Sequence, residues 1–197
     1  MIKKSRTHKE RVYTIARQLM FDSGGVGWSM DDLSREAGIT KRTLYKIVAS
    51  KEQLIGELVL DAIDEVQERI AAHIAAGGDF HDTARSLIIE YPLLMGRMSS
   101  PVISNLFMHY PEVEKLVIAR RNELAARLIA FFDQGIASEH LRSDLSGAFI
   151  LQLFQAMVLY FLKTSEGSET FSHNIVTAFD VLMDGLTAKA GSTGEAA

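Results

Sequence analysis

The sequence has no cysteine, only 3 prolines and a single tryptophan among its 197 residues. Without cysteine there is no disulfide, no thiolate nucleophile and no cysteine-ligated zinc or iron–sulfur cluster. The few prolines and an ordinary 14 glycines exclude collagen-like repeats and loop-dominated β folds, and 47% apolar residues exclude disorder as the main content. Sustained period-2 alternation is also missing, while apolar residues recur at three and four, so the expected fold class is all-α. The start Met-Ile-Lys-Lys-Ser-Arg leads into no apolar signal core, which gives a cytoplasmic location as the expectation.

Charge is unevenly placed. Residues 1–51 hold 11 basic against 5 acidic groups, net +6, and residues 52–197 hold 10 against 20, net -10. A basic quarter attached to an acidic remainder points to a polyanion partner for the N-terminal part alone.

The first periodic segment puts Val12, Ile15, Ala16, Leu19 and Met20 on one face and predicts a helix over about 5–23, ended by Gly24-Gly25. Ser29 is a good N-cap with Asp32 at the third helical position, and Trp28 can staple onto Leu33, which predicts a short helix over about 30–36. Thr40 repeats the device for a helix over about 41–47, with Ile39 able to pack on Leu44. Gly38 between them can take the left-handed conformation of a tight corner. Two short helices across a glycine turn form the helix-turn-helix plan. Ser50, with Gln53 in the capping-box position, opens a longer helix whose buried side runs from Leu54 to Ile70, up to Gly77-Gly78.

Further helices are expected over about 79–97, where Pro92 should introduce a kink, and over 101–108, 112–135, 144–164 and 168–189, giving about nine in all. The divisions expected are residues 5–65, with the helix-turn-helix at about 29–48, residues 66–190, and a flexible tail at 191–197. Residues 145–162 carry no charge, a length at which a membrane span becomes a candidate. Gln152 and Gln155 argue against a span. A helix covered on one face by its own domain and on the other by a second subunit accounts for the run better.

In a helix-turn-helix the second helix enters the DNA major groove. Here that helix offers Lys41, Arg42, Thr43, Tyr45 and Lys46, with no acidic residue among them, while Leu44 and Ile47 point inward. Ser29 and Thr40 at the helix starts join the candidate contacts, and Lys51 is placed to meet a phosphate beside free backbone N–H groups. A solvated cationic helix surface is the plain alternative for any one of these residues.

The run from Arg11 to Leu60 resembles the DNA-binding domain of the TetR/AcrR family of transcriptional regulators. The match is closest over Ser29-Met-Asp-Asp-Leu-Ser-Arg-Glu-Ala-Gly-Ile-Thr-Lys-Arg-Thr-Leu-Tyr-Lys and Ser50-Lys-Glu-Gln-Leu. Two positions depart from the family pattern: Val48 stands where an aromatic is usual and Ala49 where a Pro is frequent. Arg42 adds a charge where many relatives have a small residue. The resemblance implies a homodimer through the helices at about 144–164 and 168–189, with middle helices enclosing an effector pocket. It also implies two reading helices on successive major grooves of a palindromic double-stranded DNA operator, roughly 34 to 36 Å apart. A ligand that prefers another separation would release the DNA.

Tyr91, Met95, Met98, Phe107, Met108, Met157 and Phe161 suit a pocket for a small, mostly apolar effector, with Arg97 or His109 as its polar anchor. Core packing explains each of them equally well. The six histidines show no metal-ligand spacing, and the glycines match no nucleotide loop, so neither metal, cofactor nor catalytic residue is expected. A repressor is the leading expectation. The alternatives are an activator or a protein-controlled regulator, or a helical carrier or enzyme with a vestigial DNA-binding module.

Overall fold

The computed structural model describes residues 2–98, 101–166 and 168–187, with side chains for all of these but 2–7, 88–89, 93–98 and 168. Among the described residues there are nine helices and no strand. They are α1 (Ile2–Asp22), α2 (Met30–Glu36), α3 (Lys41–Leu44), α4 (Lys51–Ala75), α5 (Phe80–Met98), α6 (Pro101–His109), α7 (Pro111–Ala137), α8 (Gly147–Thr164) and α9 (Ser168–Leu186). The tail from Gly191 lies outside the described residues.

The chain divides into two compact units. The first joins residues up to Glu65 with Arg97–Arg120, and the second joins Val66–Gly96 with the residues from Arg121 onward. The sequence expectation of a break at 65/66 therefore meets an additional finding, that α6 and the first part of α7 pack with the N-terminal helices. The reason is local. Asn105 Nδ2 donates to the Gly24 carbonyl at 2.8 Å. Gly25, at φ +99°, has no room for a Cβ, which would sit 2.9 Å from the Val102 carbonyl and 3.1 Å from Leu106 Cγ.

In the first unit Val12, Ala16 and Met20 on α1, Leu33 on α2, Leu44 on α3 and Leu54, Ile55 and Leu58 on α4 are all buried. Each of the larger ones, Val12, Met20 and the leucines and isoleucine, contributes about 1.5–3 kcal/mol on leaving water. Tyr13 donates to the Glu57 carboxylate, which also accepts from Gln53 Nε2 at 2.7 Å. Arg120 pairs with Asp64 at 3.1 Å.

The core of the second unit comes from Val66 and Ile70 of α4, Ala84, Leu87 and Tyr91 of α5, and Leu124, Leu128 and Phe132 of α7. Ile150, Phe154 and Val158 of α8 and Ile175, Phe179 and Met183 of α9 complete it. Pro92 lies inside α5. Arg69 of α4 pairs with Glu90 of α5 at 2.7 Å. The helix expected from 144 starts at Gly147, because Ser146 adopts an extended conformation and its hydroxyl accepts from Phe149 N–H as the cap. Gly147 lies against the Ile129 carbonyl and gives its N–H to Asp133 Oδ1 at 2.7 Å. An antiparallel bridge, Leu141 to Thr187, ties the α7–α8 loop to the end of α9.

Candidate nucleic-acid interface

The motif is assembled by short-range polar contacts. Ser29 Oγ accepts from Asp32 N–H at 3.1 Å and Ser29 N–H donates to Asp32 Oδ2 at 3.0 Å, the reciprocal closure of a capping box. The Ser29 hydroxyl also donates to Asp32 Oδ2 at 2.6 Å, and this bond first, then that from the Ser29 N–H, holds the Asp32 carboxyl below its ordinary value, with Arg35 at 2.5 Å adding to them. After α2, Gly38 takes φ +58°, and Ser34 Oγ donates to the Ile39 carbonyl at 2.7 Å, which fixes the corner. Thr40 then caps α3, its Oγ1 accepting from Thr43 N–H at 3.2 Å.

The second helix of the motif is shorter than the expected 41–47. It spans Lys41–Leu44 and continues as tight turns, because Lys46 and Ile47 donate to carbonyls three residues back, those of Thr43 and Leu44. Leu44 and Val48 are buried beneath it and Ile47 is half-buried. Val48 is thus the plug at the position where the resembling family usually has an aromatic.

Arg42, Tyr45 and Lys46 stand on the outside. Tyr45 is 53% exposed, and Arg42 and Lys46 have no ion-pair partner among the described residues. Thr43 is half-buried, with its hydroxyl 3.0 Å from that of Thr40. Two of the expected contacts are arranged differently. Lys41 pairs with Asp31 of α2 at 2.7 Å, an acidic neighbour that a count along α3 alone overlooks, and this pairing raises the Lys41 pKa.

Lys51 does not reach outward as expected. Its Nζ donates to the carbonyls of Val26 at 2.8 Å and Trp28 at 2.5 Å, and lies 4.5 Å from the centre of the Trp28 ring. Partial burial lowers its pKa, the Asp32 carboxylate opposing. Trp28 itself is buried and donates Nε1–H to the Gly25 carbonyl at 3.1 Å. Lys51, Trp28 and the Gly24-Gly25 turn thus form one internal contact set behind the two short helices.

The residues expected to line an effector pocket fall in both units. Tyr91, Met157 and Phe161 belong to the second unit, and Phe107, Met108 and His109 to the first. Tyr91 is buried beside Phe154 and its hydroxyl accepts from Gln155 Nε2 at 2.9 Å. Phe161 meets Tyr160 edge-on, and Met157 is half-buried. Met108 is 76% exposed, and His109 is exposed with its Nδ1 2.9 Å from the Asn105 carbonyl. The side chains of Met95, Arg97 and Met98 lie outside the described residues. Asn105 carries no signal in sequence patterning, and Gly25, read there as part of the stop of α1, also takes the close approach of α6.

No family model matches the sequence, and a search of curated proteins gives no match. Solved structures do match. A TetR/AcrR-family transcriptional regulator from Thermobifida fusca aligns over 90% of this chain and 97% of its own, with TM-score 0.69 and 20% identity. A TetR-family regulator from Agrobacterium tumefaciens aligns over 93% and 100%, with TM-score 0.69 and 21% identity. AibR, solved in complex with isovaleryl coenzyme A and operator DNA, aligns over 93% and 99%, with TM-score 0.61 and 21% identity. The chain, with nine helices among its described residues, has the fold of the TetR/AcrR family of transcriptional regulators.

Proposed function

We propose that this protein is a ligand-responsive transcriptional repressor that binds a palindromic operator as a homodimer in the cytoplasm and leaves it when a small, mostly apolar effector binds. The observation that carries the reading is the outer side of α3. Arg42, Tyr45 and Lys46 are presented to solvent there without acidic partners, on a turn whose underside is pinned by Leu44 and Val48. A guanidinium, a phenol and an ammonium on one short helix and the turns that continue it can serve phosphates and base edges together. Ser29, Thr40, Lys41 and Thr43 shape and support that surface, and Lys51 acts through the Val26–Trp28 loop.

Dimerisation rests on α8 and α9. One side of α8 is buried by its own unit through Ile150, Phe154 and Val158, while Phe149, Leu153 and Tyr160, spaced at four and seven, remain exposed along another. Val181 of α9 is 69% exposed. Such a continuous apolar strip calls for a cover, and a second copy of the same pair of helices supplies one. By length and composition α8 alone, among the described residues, could cross a membrane. Its buried side against α9 suits a packed bundle instead.

The test is a gel-shift titration of the protein against DNA flanking its own gene over a series of salt concentrations. A palindrome should be bound, with affinity falling steeply as salt rises. Lys46→Ala should flatten the log–log slope by about 1.8, twice the 0.9 expected per phosphate, because a dimer carries two copies. Tyr45→Ala should relax base preference. Failure to bind any duplex at low ionic strength overturns the reading.

A further inference from the structure

The second unit contains a groove of about 610 Å³ between the end of α4, the start of α5 and the last turns of α7. That volume lies within the range of about 300–1,000 Å³ usual for small-molecule sites. One wall is aromatic. Phe80 stacks nearly parallel to Phe131, with ring centres 4.9 Å apart, and to His140, 5.2 Å apart, and all three line the groove. The opposite side is aliphatic, with Ala71, Ile74 and Ala75.

The wall is built rather than incidental. The Phe80 ring packs against Gly135, where a Cβ would collide with it. Beyond it, Glu139 adopts φ +59°, a left-handed conformation that costs a side-chain-bearing residue about 1–2 kcal/mol. The turn is held by the N–H groups of His140 and Leu141, which both donate to the Gly135 carbonyl, at 2.9 and 3.1 Å. Backbone strain of this kind is the price of bringing the imidazole back onto Phe80.

The lining carries one fixed charge, the Arg127 guanidinium. Arg127 and His140 are there, with the hydroxyls of Thr83 and Ser138 and the amide of Gln134, and no carboxylate. Arg127 is exposed and makes no ion pair among the described residues. The nearby Asp79 carboxylate accepts through Oδ1 from the N–H groups of Asp82 and His81 at the start of α5, bonds that, with Asp82 foremost, lower its pKa, and it faces His140 electrostatically, so the groove's unopposed charge is that of Arg127. We propose that this groove binds a small organic acid, its apolar or aromatic body against the Phe80–Phe131–His140 stack and its carboxylate on Arg127. The guanidinium supplies two parallel donors for that carboxylate, which a neutral ligand cannot use. The proposal deepens the effector reading above, and rests on it for any consequence at the operator.

Binding is tested without DNA, so its failure and the failure of the operator reading are separate results. The full chain is titrated calorimetrically with 2-naphthoate and with the neutral 2-naphthylmethanol at low ionic strength. The acid should bind about tenfold more tightly than the alcohol, the size of one charge-assisted hydrogen bond. Arg127→Gln, a change at an exposed site, should abolish that preference while the alcohol still binds. Ala130→Phe, which fills the groove from an exposed position on α7, should remove both. Equal affinity for the two probes, a preference that survives Arg127→Gln, binding unchanged in Ala130→Phe, or no binding up to millimolar acid would each overturn the proposal.

Discussion

The two units of this molecule are held together by different means. In the first, helices of 7 and 4 residues, too short to be stable by themselves, are fixed at their ends by Ser29, Gly38 and Thr40 and from behind by Lys51 and Trp28. In the second, helices of 18 and 19 residues are fixed along their lengths by apolar stripes. The exposed side of α3 and the turns after it carries Arg42, Tyr45 and Lys46 and little apolar area, so its geometry is specified by caps and by a few deep anchors. A packing unit has no such restriction.

The contrast can be broken most severely at an anchor. Leu44→Ala empties a fully buried position under the reading helix and should cost about 2–5 kcal/mol. Since Trp28 is the only tryptophan and lies in the first unit, its fluorescence should report this loss at lower denaturant than far-UV circular dichroism does. Coincident transitions by the two probes would show that the units unfold as one.

Lys51→Met should come next. It removes two hydrogen bonds to carbonyls at the cost of about 1–3 kcal/mol, whereas Lys46→Met, at an exposed site without an ion-pair partner, should leave the melting temperature within a degree or two. Equal melting temperatures for the two variants would return Lys51 to the role of a phosphate contact. Ser29→Ala and Ser146→Ala each delete a cap worth about 1 kcal/mol, but only the first should weaken operator binding more than it weakens folding.

The smallest effect concerns acid. Asp32 has its folded pKa depressed below 3.8 by Ser29, so it binds fewer protons folded than unfolded. Its contribution is complete above the unfolded value and is lost as pH falls through the lower, folded one. Asp32→Asn should therefore lower stability at neutral pH and flatten the acid limb of the Trp28 transition below about pH 4. An acid limb identical to that of the natural chain would remove Asp32 from the account.

Much of this was legible in the sequence because the determinants are close in the chain. Ser29 and Asp32 are three residues apart, Thr40 and Thr43 likewise, and Gly38 marks its corner by itself, so α2 and the start of α3 follow from spacing. The periodic apolar positions located α4, α5 and α7 to within two residues at each end. What pattern reading misses depends on residues far apart. Lys51 is 23 residues from the Trp28 carbonyl it binds, Asn105 is 81 from Gly24, and Phe80 meets Gly135 across two helices. Neither periodicity nor capping rules contain such pairs. The placement of α6 in the first unit and the groove beside Phe80 were hidden for that reason.

The bond from Asn105 to Gly24, with Leu106 pressed on Gly25, has a consequence for how the protein is made. The nascent first 65 residues contain every cap of the reading motif and yet lack the lid of their α1–α2 turn. At translation rates of about 5–20 residues per second, the ribosome needs roughly another 2–10 s to deliver that lid. During this interval the newborn reading motif has its local geometry but not its full support, and it is finished by a segment synthesised after the first helices of the other unit.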